Sequence, residues 1–449
     1  MESFALEGIL DQLRSALERD DLSGAAAIIA ALRPPDQAEV FAELQDKEQI
    51  VLLPELHPDD SADILEELDD EQAAELVAGL PTETVIRIVD EMEPDEAADL
   101  LGDMPRDRAI AVLAGLEDPD EVRPLLLHAD DSAGGLMTSD FLALRVRMTA
   151  GEGLQAIREW QPDSENVYHL FVVDRLGRLV GAVSLRQLVV ADPRTPLSEI
   201  MDHEVIYVRV GVDQEECARL MLRYDLAALP VVNGDDTLLG VVTFDDVMEV
   251  LEDEATEDIQ RLGGAQPLER PYLDTNVLTL ARKRIGWLLL LFLTATLTGS
   301  VMRLFEDLLQ SVVALAVFVP LIIGTGGNAG SQTTAIIIRD LATGEVEFGD
   351  ALRVWLHEAA VGLLLGLGMA VVAYTRAITW ESDPALALTV SVAIMGIVLW
   401  ATSIGSLLPL VAARLRIDPT VVSGPVMSTL VDATGLFIYF SIARLLLGL

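Results

Sequence analysis

The sequence predicts a multidomain membrane protein: an α-helical, superhelical N-domain, an α/β tandem domain, and an all-α domain of five transmembrane helices. Three observations predict it. Charge and hydropathy are segregated, because a net charge of −43 over 449 residues coexists with 51% apolar residues. From Ile285 onward there are 7 basic and 11 acidic residues, which leaves 23 basic and 62 acidic residues ahead of it. Turn signals recur every 24 residues within the first 130, and residues 136–252 repeat internally. The expected boundaries are therefore 1–130, 131–253, a connecting helix over 254–284, and 285–449.

The composition also excludes several classes. An acidic half of net −39 repels nucleic-acid phosphates, so no nucleic-acid partner is expected. Cys217 is the single cysteine, which excludes an internal disulfide, and no Cys/His cluster has zinc spacing. Met1-Glu2-Ser3-Phe4 carries neither a basic nor an apolar leader segment, so no cleaved signal peptide is expected and the acidic half belongs in the cytosol. No phosphate-binding G-x-x-x-x-G-K-[ST] loop is present to energise a pump, and the chain is not expected to be an enzyme.

In the N-domain, Leu56-His57-Pro58, Leu80-Pro81 and Met104-Pro105 recur at 24-residue spacing, with amphipathic segments such as Ala62–Leu65 and Ala97–Leu101 between them. A period in this range means stacked helical hairpins.

The middle domain is a duplication. Leu136-Met137 aligns with Ile200-Met201, and Leu144-Arg145-Val146 with Val208-Arg209-Val210, at an offset of 64. Val172-Val173-Asp174 then matches Val231-Val232-Asn233, and Gly181–Ser184 matches Gly240–Thr243, at an offset of 59. Each copy reads as a short strand, a helix, two β-branched strands and a further helix. The pattern resembles a tandem CBS (Bateman) pair, a regulatory module that often binds adenine nucleotides. In nucleotide-binding members an Asp three residues after the Ser/Thr commonly takes the ribose hydroxyls. Thr243 and Asp246 match that pattern, whereas Ser184 is followed by Gln187, so ATP is an open candidate ligand.

Uncharged apolar stretches run over 285–302, 308–338, 359–375, 384–413 and, with one interruption, 419–443. A helix needs about 20 apolar residues to span a bilayer, and the 17-residue third stretch can be extended by Glu358 and Arg376 snorkelling at its ends. Arg282, Lys283, Arg284, Arg339, Arg353, Arg414 and Arg416 flank one side of these spans. By the positive-inside rule that side is cytosolic. This expects a multi-pass protein of the cell (inner) membrane, with membrane lipid around it, the N-terminal half cytoplasmic and the C-terminus outside.

Asp432 lies mid-span, 14 residues after Asp418 and 12 before Arg444. An aspartate at that depth costs roughly 2.5–3.5 kcal/mol on insertion scales, so it is either bonded to a neighbouring helix or part of a cation path. The second reading is supported by Pro320 and the run Gly324, Gly326, Gly327 and Asn328 in span two, and by Pro425 opening span five. Helix packing through small residues is the alternative for the glycine run. With oxygen ligands alone and no Cys in the membrane half, the path suits a hard cation. Magnesium keeps several waters while touching one or two carboxylates. One Asp432 from each of two chains would suffice, which requires a homodimer; Gly424 and Ser428 are candidate companion ligands.

Eight acids and no base lie between Asp245 and Asp258, and Asp246, Glu249, Asp253 and Glu257 form a stripe on one helical face. Like charges so spaced cost about 0.2–0.5 kcal/mol per pair. The stripe is either merely solvated or a surface that divalent ions bridge to a second acidic face, for which Asp95 and Asp99 are the candidates.

With these motifs in place, the chain resembles the MgtE family of magnesium channels and transporters over nearly its whole length. Ala133–Thr138, Gly324–Asn328, Asp418-Pro419, Asp432–Gly435 and Glu254–Asp258 carry the resemblance. It implies a homodimer with the pore on its axis, Asp432 touching hydrated magnesium, and feedback closure by cytosolic magnesium through a connecting, or plug, helix. It implies regulatory magnesium at Asp95, Asp99, Glu215, Asp225, Asp246, Glu249, Glu254, Glu257 and Asp258. Gly424 replaces the asparagine the family often shows, and Glu249 stands where a shorter Asp can occur. A broader divalent transporter carrying Co2+, Ni2+ or Ca2+, and a nucleotide-sensing membrane signalling protein, are the alternatives.

Overall fold

The computed structural model describes residues 2–160, 169–268, 272–273, 275–381, 383–423 and 425–449. The chain forms two compact units, Met1–Glu254 and Ala255–Leu449.

The first unit begins with short helices: α1 (Glu2–Leu17), α2 (Leu22–Ile29), α3 (Pro34–Ala42), α4 (Asp46–Leu52), α5 (Pro58–Glu66), α6 (Asp70–Ala78), α7 (Thr82–Val89), α8 (Pro94–Asp103), α9 (Arg106–Leu113) and α10 (Pro119–Val122). Odd-numbered helices stack on odd (α3 on α5, α5 on α7, α7 on α9) and even on even (α4 on α6, α6 on α8), which makes the two layers of a superhelix. The 24-residue spacing marks the starts of α5, α7 and α9. Pro58 occupies the first turn of α5, and Pro81 and Pro105 are the N-caps of α7 and α9. Proline suits that place because the first helical N–H groups lack intrahelical partners.

The α/β part follows with β1 (Ala143–Arg145), α11 (Ala150–Trp160), β2 (His169–Val173), β3 (Leu179–Ser184), α12 (Leu185–Val190) and α13 (Leu197–Ile200). Its second copy comprises β4 (Val208–Arg209), α14 (Gln214–Tyr224), β5 (Ala228–Val232), β6 (Leu238–Thr243) and α15 (Phe244–Leu262). In each copy the first strand pairs parallel and the last antiparallel to the central one. The register repeats at the sequence offsets: Leu144↔Val172 and Val172↔Gly181 become Val208↔Val231 and Val231↔Gly240, and the same bulge follows each.

The copies exchange their leading segments. Thr138, ahead of copy one, bridges to Val241 of copy two, and Asp202, ahead of copy two, bridges to Ala182 of copy one. Both glycines of the repeat exist for this contact. A Cβ at Gly181 would lie 2.6 Å from Met201 Sδ and 2.9 Å from the Asp202 carbonyl; at Gly240 it would lie 2.7 Å from Met137 and from the Thr138 carbonyl. One apolar core runs from the helical layers into the second copy, through Leu101, Val112, Met137, Val231 and Val247. The first copy has a core of its own, around Leu144, Leu170, Val183 and Leu188.

The second unit contains α16 (Val277–Leu304), α17 (Glu306–Ser311), α18 (Ala314–Ala342), α19 (Ala351–Glu381), α20 (Pro384–Arg414), α21 (Pro419–Ser423) and α22 (Pro425–Leu447). Among the described residues five helices are long and apolar enough to cross a membrane. Helix α20 is the centre of the bundle, packing against α18, α19 and α22, while α16 packs on α22.

Two expectations need correction. Residues 254–284 are not one helix: α15 runs on from Phe244 to Leu262, and residues 277–284 already belong to α16. The break lies at Gly263-Gly264, where Gly264 adopts φ +72° and Ala265 N–H reaches back to the Gln260 carbonyl, a left-handed helix stop that glycine accepts without strain. Gly326 does not face a pathway, being packed against Ile397 and Val431. Gly240→Ala should destabilise the protein by about 1–3 kcal/mol through overpacking, read as a lowered melting temperature.

Candidate functional site

In the second unit, α18 divides into two faces. Gly326, Ala329, Gly330, Thr333, Thr334 and Ile337 are buried at helical spacing. A Cβ at Gly330 would lie 2.4 Å from Met427, and one at Gly405 of α20 would lie 2.7 Å from the Gly330 carbonyl, so small residues here set close helix approach. Thr334 Oγ1 seals that contact by donating to the Gly405 carbonyl at 3.2 Å. The helix continues through Pro320, which is exposed.

The other face carries Gly324, Gly327 and Asn328. Gly324 has nothing within 4 Å of a built Cβ, and the first atom such a Cβ at Gly327 would meet is Asp432 Oδ1, at 3.9 Å. Asp432, half-buried on α22, thus stands opposite the polar glycine face of α18, and among the described residues its carboxylate has no hydrogen bond. Thr434 accepts from Trp400 Nε1 at 2.8 Å, and the Thr294 and Thr429 hydroxyls meet at 3.1 Å, which pins α22 to α20 and α16 on either side of it. Ser428 is half-buried one turn before Asp432; Pro425 opens α22, and Gly424 lies outside the described residues.

In the first unit the acidic stripe of α15 is not merely solvated. Asp246 lies within electrostatic reach of Asp95 and Glu93, Glu249 of Glu67 and Glu96, and Asp253 of Asp70, so these three carboxylates of the stripe face α8, α6 and the end of α5. Burial foremost, then neighbouring carboxylates, pushes Glu93, Asp99 and Glu249 up to about 7 and Glu96 up to about 10. Burial also raises Asp95 and Asp246. Among the described residues none of these six is ion-paired to a Lys, Arg or His. Asp95 Oδ1 is buried with no hydrogen-bond partner.

This oxygen-only set fits a hard divalent cation. Among the described residues no three His, Cys, Asp or Glu side chains converge closely enough to hold one metal directly. A hydrated ion bridging pairs is the compatible mode. Glu93 and Glu96 were missed by sequence reasoning, although Pro94 signals a helix start that places Asp95 and Glu96 in the first turn of α8, facing Asp99 one turn on.

The remaining expected ligands are dispersed. Glu215 follows the N-cap of α14, and Asp225 is its exposed left-handed C-cap at φ +51°. Glu254 accepts from Gln214 Nε2 at 2.9 Å. Glu257 is ion-paired to Arg261 one turn later, and Asp258 lies beside it on α15.

The nucleotide positions are locally committed. Gln187 Oε1 accepts from Ser184 N and Oγ at 2.8 and 2.7 Å, and its Nε2 donates to the Ile200 carbonyl at 2.9 Å. At the equivalent place Asp246 Oδ2 accepts from Thr243 Oγ1 at 2.6 Å and from Thr243 N at 3.2 Å.

Family models match residues 319–442 (divalent cation transporter), 32–131 (MgtE intracellular N domain), and 133–194 with 197–253 (CBS domain). A protein named magnesium transporter MgtE from Thermus thermophilus is 47% identical over 327 residues, 73% of this chain and 72% of that one. The chain belongs to the MgtE family. An Enterococcus faecalis protein of the same name is 36% identical over 329 residues, again 73% and 72% of the two chains. A solved cytosolic domain of the Mg2+ channel MgtE, in complex with ATP, is 38% identical, with a TM-score of 0.51, covering 54% of this chain and 99% of that one. The chain therefore has an MgtE N-domain, a CBS pair and, among the described residues, five candidate transmembrane helices.

Raised carboxylate pKa values carry a sign for stability. Glu93, Asp99 and Glu249 bind more protons folded than unfolded between their ordinary values of about 4 and about 7, so their contribution to stability falls as pH rises through that window. The full-length protein in a chelator should melt at a lower temperature at pH 8 than at pH 6, and millimolar Mg2+ should recover most of the loss at pH 8. Differential scanning fluorimetry checks both.

Proposed function

We propose that this protein is a homodimeric magnesium channel of the cell membrane, closed from within by the ion it carries. The observation that carries this reading is the juxtaposition of buried, unpaired carboxylates on α8 and α15 in a chain whose other unit sets Asp432 against the polar face of α18. The positive-inside count supports a cytoplasmic first unit and an outside C-terminus. Asp432 from each of two chains contacts hydrated Mg2+ on the dimer axis, with Ser428 and the Gly424 carbonyl as nearby oxygens. Inward flux needs no ATP hydrolysis, since the membrane potential supplies about 2.3 kcal/mol per charge per 100 mV.

At high cytosolic Mg2+, hydrated ions neutralise Asp95, Glu96, Asp99, Asp246 and Glu249, and the α8 and α15 faces stay together. When Mg2+ falls, their repulsion drives the faces apart and the connector releases the pathway. Moving such an equilibrium from 1:99 to 99:1 takes about 5.5 kcal/mol, which four sites of tenfold preference, about 1.4 kcal/mol each, supply. The capping bonds of Gln187 favour control by the ion over control by ATP.

Asp432→Ala should reduce Mg2+ uptake into proteoliposomes to the background of empty vesicles while the protein still folds; undiminished uptake removes Asp432 from the pathway. Asp246→Asn combined with Glu249→Gln should raise the internal Mg2+ that halves the flux by about tenfold per site lost. Repeating the flux with Co2+, Ni2+ and Ca2+ separates a magnesium path from a broader one. Calorimetry with ATP on the full chain tests the nucleotide reading, with no heat expected.

A further inference from the structure

Helix α15 ends at Leu262, and one side chain in its last turn reaches far along the chain. Arg261 Nη1 donates to Asp418 Oδ2 at 2.5 Å, across 157 residues of sequence, while Nη2 holds Glu257. The second oxygen of Asp418 is also occupied: Oδ1 accepts from Thr420 N at 2.8 Å and from Thr420 Oγ1 at 2.6 Å, at the start of α21. One carboxylate therefore joins the connector by one oxygen to the corner before α22 by the other. The loop after α15 is tied separately. Lys283 Nζ donates to the Pro267 carbonyl at 2.6 Å, Gln266 N–H to the Lys283 carbonyl at 3.3 Å, and Leu268 N–H to Gln260 Oε1 at 2.7 Å.

We propose that Arg261 is a positioning residue that fastens the connector to the α20–α21 corner through Asp418, so that this attachment is made by a side chain and does not depend on a metal ion. The proposal deepens the channel reading above and rests on it. A guanidinium presents its donors in a rigid fork, which lets Arg261 hold two carboxylates at once, whereas an ammonium is a point charge. With Arg261 between them, Glu257 and Asp418 already have their counter-charge, and a divalent ion would have to displace it. The end of α15 is thus a fixed anchorage, and the magnesium-dependent contacts are those of Asp246 and Glu249, three to four turns earlier on the same helix.

The test uses the full-length protein and two readouts. Asp418→Asn keeps an oxygen to cap Thr420 but removes the charge that holds Arg261, and Arg261→Gln removes the partner. Each should raise the internal Mg2+ that halves the flux by about two- to fivefold, the size expected of a partly exposed pair. The double variant should add nothing further, Arg261→Lys should lie between, and flux at low internal Mg2+ should be unchanged. Additive effects, or inhibition unaltered in both single variants, overturn the proposal while leaving the channel reading intact; absence of flux in the unsubstituted protein overturns both. Independently, limited proteolysis around Gly263-Gly264 in a chelator should cut Asp418→Asn and Arg261→Gln several-fold faster than the unsubstituted chain. If the chelator alone exposes that segment as much as the substitutions do, the attachment is a metal site and the proposal fails.

Discussion

Carboxylates removed from water, none of them ion-paired to a Lys, Arg or His among the described residues, are the condition on which the first unit turns. Burial of Asp95 and Glu96 beside Asp246 and Glu249 opposes their ionisation, and each neighbour makes the next more costly to charge. The apolar core works in the other direction, because it continues unbroken from Leu101 and Val112 of the helical layers into Val231 and Val247 of the second CBS copy. Hydrophobic burial does not depend on the concentration of any ion. The balance between the two forces is therefore set by how far the carboxylates are neutralised.

Much of this architecture was legible from spacing. The 24-residue recurrence of Leu-Pro and Met-Pro steps marked α5, α7 and α9 because proline is favoured at a helix start, and the offsets of 64 and 59 reappear as strand register residue by residue. The α15 stripe was visible as periodicity, but its partner face was only half found. Asp95 and Asp99 were named, while Glu93 and Glu96, which also interact with carboxylates of α15, belong to no stripe until α8 is seen to lie against α15. The glycine run of α18 shows the same limit. Its residues alternate between a packing face and a polar face, and composition alone could not assign Gly326 to one and Gly327 to the other.

The connector illustrates why a motif can survive while its expected chemistry changes. Glu257 belongs to the acidic segment that resembles the family, yet its carboxylate meets Arg261 four residues later. An i,i+4 pair is readable from sequence, whereas the reach to Asp418 is not, because nothing in the local pattern brings residues so far apart together.

The exchange of leading segments between the CBS copies has a consequence for how charge is distributed. Thr138 pairs with β6 and Asp202 with β3, so the exchange is reciprocal and the two copies are related by an approximate internal twofold. Positions 187 and 246 are equivalent under that internal twofold, and both close the same small loop onto a hydroxyl. One is a neutral amide and the other an acid. A near-symmetric scaffold thereby holds an amide at one of two equivalent positions and a carboxyl at the other, so only the second can change its charge.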